Sequence, residues 1–119
     1  MTAKGPVSGR ARVLDDVFSA LGDPVRRSIV ERLARGELTA GEIASAYKIS
    51  QPAVSKHIKI LERCGLLQRT VVGREHNLRL VPRQMRSATK WLQAQEAFWN
   101  STFDRLDTYL QESAESEKK

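Results

Sequence analysis

Residues 39–65, TAGEIASAYKISQPAVSKHIKILERCG, decide the fold. Thr39 followed by Glu42 is a capping-box pattern, with a cap hydroxyl and a carboxylate that answer each other across the first turn of a helix. It predicts a short helix packed through Ile43, Ala44 and Tyr47. Lys48, Ile49 and Ser50 form the connection, and Ser50 caps a second helix with Gln51 and Pro52 in its first turn. Val54, Ile58 and Leu61 recur at i, i+4 and i+7, so one face of this helix must meet a core. The helix runs to about Cys64, and Gly65 is its C′ stop. Two short helices joined by a turn make a helix-turn-helix.

Outward from this unit, the period changes. LLQRTVV and EHNLRLV suit two strands joined by a turn at Gly73-Arg74, where glycine supplies positive φ. Pro82 ends the second strand, and helical spacing returns from Arg83 to about Gln111. Upstream, Val13, Leu14, Val17, Phe18 and Leu21 form the apolar stripe of a helix over 10–21, which Gly22 stops. Asp23-Pro24 opens the next helix, with Ile29, Val30 and Leu33 inward and Gly36 at its end. The expected fold is mostly α: a winged helix-turn-helix with a two-stranded β wing and a long C-terminal dimerisation helix. Residues 1–9 are expected to be a flexible tail, 10–111 the single folded domain and 112–119 a polar tail.

A chain of 119 residues suits one domain, and 40% apolar content can form its core. No apolar run approaches the ~18 residues of a membrane span. The N-terminus has no apolar signal segment, so no membrane partner is expected. One cysteine cannot form an internal disulfide, which makes a reducing, cytoplasmic setting the expectation. The net charge is +6, and residues 50–90 carry nine bases against Glu62 and Glu75. A local excess of this kind suits a polyanion.

On the second helix, Val54, Ile58 and Leu61 span about 60° of the wheel. Pro52, Lys56, Lys59 and Ile60 lie opposite them, with Ser55 beside. Residue types alone fit a solvated face. A basic hairpin directly after a helix-turn-helix reverses that balance. The second helix of such a motif enters the major groove, where glutamine pairs with adenine and lysine donates to guanine. The candidate DNA-binding residues are therefore Ser50, Gln51, Pro52, Ser55, Lys56, His57, Lys59 and Arg74, the last at the wing tip. His57 lies at the edge of the face, suited to a phosphate or merely packed beside the core.

The last helix holds Trp91, Leu92, Phe98, Trp99, Phe103, Leu106, Tyr109 and Leu110 at steps of mostly three and four. Its segment is net acidic, which is wrong for a groove that tracks a nucleic-acid strand. A second subunit is the better cover. The candidate dimer interface is Val13, Val17, Trp91, Phe98, Trp99, Phe103, Leu106 and Leu110. No catalytic constellation is present, so no enzyme activity and no cofactor are expected. Cys64, His57 and His76 lack metal-site spacing. A metal- or thiol-responsive sensor built on them is the first rival. A winged helix used for protein interaction and a non-specific chromosome-organising protein are the others.

LGDPVRRSIVERLARGELTAGEIA, followed by SQPAVSKHIKILERCGLL and the basic wing, resembles the ArsR/SmtB family of bacterial winged-helix repressors over roughly residues 13–81. The resemblance implies a homodimer on an inverted-repeat operator in its own promoter region, released by a small-molecule or protein effector. It also implies DNA contacts at Gln51, Ser55, Lys56, His57 and Arg74. Metal-sensing members carry Cys-x-Cys where Thr39 and Gly41 stand here, and others use histidines on the last helix, where residues 83–119 have none. The resemblance is therefore to a branch without the usual metal ligands.

Overall fold

The structure, a computed structural model, describes residues 9–117. The elements in order are α1 (Gly9–Leu21), α2 (Pro24–Leu33), β1 (Leu38–Thr39), α3 (Ala40–Ser45), α4 (Gln51–Arg63), β2 (Leu67–Val72), β3 (Glu75–Leu80) and α5 (Pro82–Glu117). The tail expected at 1–9 lies outside the described residues except for Gly9, which opens α1. The helical period after Pro82 continues past Gln111 to Glu117.

Each stop and start has a local cause. Asp23 caps α2 by accepting the Arg26 N–H at 3.0 Å, with Pro24 at the first helical position. Thr39 and Glu42 form the reciprocal box: Glu42 N–H donates to Thr39 Oγ1 at 3.0 Å, and Thr39 N–H donates to Glu42 Oε1 at 2.9 Å. Ser50 Oγ accepts the Ala53 N–H at 3.2 Å and opens α4. The far end of α4 is a Schellman motif. Leu66 N–H reaches Leu61 O and Gly65 N–H reaches Glu62 O, with Gly65 at φ 81°. A Cβ at Gly65 would also stand 2.9 Å from Gln84 Cγ, so the stop depends on glycine twice over.

The wing is one strand richer than its sequence suggests. β2 and β3 pair antiparallel from Leu67↔Leu80 to Val72↔Glu75 and turn through Gly73-Arg74. Gly73 alone has positive φ there (62°), as a type II′ turn requires of its first central residue. β1 then adds to the other side of β3 through Leu38↔Leu78 and Thr39↔Asn77, giving the order β1-β3-β2. Two residues are too short a run for alternation to reveal.

The chain divides into two compact units, one ending at Ala88 and one beginning at Thr89. The first contains the core: Val17 and Ala20 of α1, Ile29, Val30 and Leu33 of α2, Ile43 of α3, Val54, Ile58 and Leu61 of α4, and Leu66, Leu67, Leu78 and Ala88 after it. Val17, expected at a subunit interface, is 0% exposed in this core and so has no surface left for a partner. Val13 is half-buried. The second unit is the remainder of α5. Its apolar residues (Trp91, Leu92, Phe98, Trp99, Phe103, Leu106, Tyr109, Leu110) are 44–65% exposed. At 100° per residue they fall within about 140° of the helix wheel, so they make one continuous stripe.

Candidate nucleic-acid interface

The α4 helix is clamped from one side. Val54, Ile58 and Leu61 are 2% exposed or less, and that anchoring fixes which residues face out. Gln51, Pro52, Ser55, Lys56 and Lys59 are all exposed. Ser50 is exposed too, but its oxygen is engaged as the helix cap. Ile60 departs from expectation. It is half-buried and lines a cleft with Asp16, Ser19, Ala20, Arg63 and Cys64, so it turns toward α1 rather than outward. Arg63 was not singled out from the sequence. It is exposed and stands one helical turn beyond Lys59 on the same outer face as Lys56. The four-residue spacing is the cue that finds it.

The wing arginines divide by their partners. Arg69 Nε and a terminal nitrogen hold Glu62 of α4 at 3.1 and 2.7 Å, a bidentate pair that raises the arginine's pKa. Its other terminal nitrogen lies 3.0 Å from His76 Nδ1. Arg79 donates to Gln68 across the ladder. Arg74, at the turn, has no such partner among the described residues and is exposed. The pair of Arg69 with Glu62 also straps β2 to α4, so the tip that carries Arg74 is held in register with the helix.

His57 is not a free member of the outer face. It is half-buried on the flank of α4 away from Ser55, with Nδ1 3.2 Å from an Arg26 guanidinium nitrogen and 3.8 Å from Asp23 Oδ2. Arg26 was not singled out from the sequence either. Its side chain also donates to the Ala20 carbonyl at 2.7 Å and the Ser19 carbonyl at 3.4 Å. Asp23 is held below the usual carboxylate pKa, first by the Arg26 N–H it accepts and further by the charge of the Arg26 guanidinium.

Cys64 Sγ donates to the Leu61 carbonyl at 3.3 Å, and burial pushes its thiol pKa up, away from the reactive thiolate. Among the described residues no group of three or more His, Cys, Asp or Glu side chains is arranged to hold a metal ion. Among them, too, no helix is long and apolar enough to cross a membrane.

Residues 23–69 match the profile of bacterial regulatory proteins of the arsR family. The chain is 49% identical over 53 residues to the HTH-type transcriptional regulator Rv2034 of Mycobacterium tuberculosis, covering 44% of this chain and 50% of that protein. It is 41% identical over 54 residues to the transcriptional repressor SdpR of Bacillus subtilis, covering 45% of this chain and 60% of the relative. The matches thus span only half to three fifths of those two proteins. A solved ArsR family transcriptional regulator, RHA00566, superposes with a TM-score of 0.71 at 32% identity, over 76% of this chain and 93% of that one.

Proposed function

The chain belongs to the ArsR family of bacterial regulatory proteins, and from that premise we propose that it is a homodimeric repressor of double-stranded DNA sites, including an inverted repeat in its own promoter region. One observation carries the reading. The anchored α4 presents Gln51, Ser55, Lys56 and Lys59 outward, and beside it, among the described residues, Arg74 at the tip is the wing arginine without an internal partner. The α4 N-terminus enters a major groove, where Gln51 and Pro52 meet base edges and Ser55 and Lys56 lie one turn deeper along the helix. Lys59, Arg63 and Arg74 neutralise phosphates. In this reading Ser50 acts through its cap, setting where α4 begins.

Dimerisation rests on α5. The aromatics of its stripe each leave about half of their ~150–250 Å² exposed. Together they present on the order of 500 Å² before the leucines are added, at or beyond the largest apolar patch typical of a soluble monomer. A second copy of the same stripe covers it, and two-fold symmetry then sets the half-sites about one helical turn apart. The departures at Thr39 and Gly41 and the histidine-free last helix favour an effector other than a metal at the usual sites. The test is enrichment of random-sequence duplexes by the purified chain. Recovery of an inverted repeat, bound by two chains, is the expected result. Recovery of no preferred sequence, with equal affinity for all duplexes, would refute the specific reading and favour the chromosome-organising one. No DNA binding even at low salt would favour a protein-interaction module.

A further inference from the structure

The flank of α4 carries a hydrogen-bond pattern that goes deeper than the candidate interface. Three elements meet at Arg26: the last turn of α1 through the Ala20 and Ser19 carbonyls, the first turn of α2 to which it belongs, and α4 through His57. A guanidinium has donors and no acceptor. At 3.2 Å the Nδ1 of His57 must therefore present its lone pair to Arg26, and the ring proton resides on Nε2. Asp23 would favour the opposite tautomer, but its Oδ2 is 3.8 Å from Nδ1, outside hydrogen-bond range. Asp23 is also already accepting the Arg26 N–H. Nε2 makes no hydrogen bond among the described residues, and 20% of the side chain remains exposed.

We propose that Arg26 is a positioning residue for DNA binding: by donating to Nδ1 it fixes His57 as the neutral Nε2–H tautomer and aims that N–H, as an uncharged donor, at a DNA phosphate beside the recognition helix. This rests on the DNA-binding reading. His57 lies on the flank of α4 rather than on its outer face, and the flanks of a helix in the major groove meet backbone rather than base edges. A neutral donor releases no counterion. Its contribution therefore leaves both base preference and salt slope unchanged, unlike that of the lysines.

The experiment has two arms on the full chain. In the first, long-range ¹H–¹⁵N correlation of ring-labelled histidine is recorded at about pH 8, where an ordinary imidazole is neutral. The expected signature for His57 is an acceptor Nδ1 and a protonated Nε2, replaced in Arg26→Met by a mixture of tautomers. In the second, duplexes enriched by the wild-type chain are titrated with His57→Asn and His57→Gln. Asparagine places an amide near Nδ1 and satisfies Arg26 but has nothing at Nε2. Glutamine places an amide near Nε2.

His57→Asn should melt near the wild type yet bind every duplex about tenfold more weakly for each subunit that touches DNA, the value of one hydrogen bond to a charged acceptor. His57→Gln should bind more tightly than His57→Asn despite a lower melting temperature. A protonated Nδ1 in the wild type would overturn the proposal, as would wild-type affinity in His57→Asn or losses in both variants that simply follow stability. If Arg26→Met fails to fold, the two His57 variants still decide. If no duplex is enriched at all, the DNA-binding reading falls and takes this inference with it, whereas enrichment with wild-type affinity in His57→Asn removes this inference alone.

Discussion

Arg74→Ala and Arg69→Ala, compared in one assay, separate a phosphate contact from an internal strut. The two arginines lie on the same hairpin and contribute equally to net charge. Arg74 stands exposed at the turn, while Arg69 is spread over both carboxylate oxygens of Glu62. Each phosphate neutralised contributes about −0.9 to the slope of log K against log salt. Losing Arg74 should flatten that slope by about 0.9 for each wing that touches DNA, and weaken binding about eightfold per wing at ~0.1 M salt, for every sequence alike. Arg69→Ala should leave the slope unchanged, because its guanidinium is already neutralised within the chain. It should instead destabilise the fold. The pair is bidentate but about one quarter exposed on each side, so ~1 kcal/mol is the appropriate scale. For a domain of this size that lowers the melting temperature by roughly 4–8 °C. The assay is fluorescence anisotropy of a labelled duplex between about 50 and 200 mM salt, with thermal melts run alongside. A wild-type slope in Arg74→Ala, or an equal flattening in Arg69→Ala, would refute the division of the wing into a free tip and a tied base.

Three further perturbations probe other parts of the molecule. Gln51→Ala should relax preference at one base position by ~1–3 kcal/mol, read as a flattened column in the enriched-sequence profile; an unchanged profile removes Gln51 as a reader. Leu106→Glu places a carboxylate in the middle of the α5 stripe, at a residue 50% exposed in the single chain. It should raise the dimer dissociation constant at least a hundredfold, roughly 3 kcal/mol from lost apolar burial and charge desolvation at two copies, while the helical circular dichroism persists. Sedimentation equilibrium showing an unaltered dimer would place the interface elsewhere. Asp23→Asn keeps a side-chain cap on α2 but removes the charge. Because the Asp23 pKa is lowered on folding, its ionic contribution is present above about pH 4 and fades as pH falls through the lowered value. The melting-temperature gap between wild type and Asp23→Asn should therefore be constant near neutrality and close below about pH 4; a gap that widens in acid contradicts the assignment.

What the sequence discloses and what it hides follow from range. Caps and stops are written in neighbouring residues, so Thr39 with Glu42, Ser50, Asp23-Pro24 and Gly65 are all legible, and the periods of α4 and α5 follow from spacing. Contacts between distant residues are not. Nothing local to DPVRR says that Arg26 bonds a histidine 31 positions later, or that Arg69 is neutralised by Glu62 while Arg74 is not. Val17 shows the same limit from the other side. Its spacing marks an apolar stripe, and only the packing of α1 on α2 and α4 shows that the chain's own core takes it. Arg63 is within reach of helical spacing, four residues after Lys59 and immediately before the Cys64 C-cap.

The third strand, slight as it is, has a consequence for how the molecule forms. Thr39 is at once the cap of α3 and the partner of Asn77, and Leu38 pairs with Leu78. The sheet therefore closes only after α3, α4 and β2 have all been traversed. Loop closure of this length is an entropic step that local helix propensity cannot shorten. The reading helix and the hairpin beside it are thereby joined into one cooperative folding unit. Amides in β1 and β3 should exchange with solvent together with those of α4, and a fragment limited to the two helices should not hold its shape.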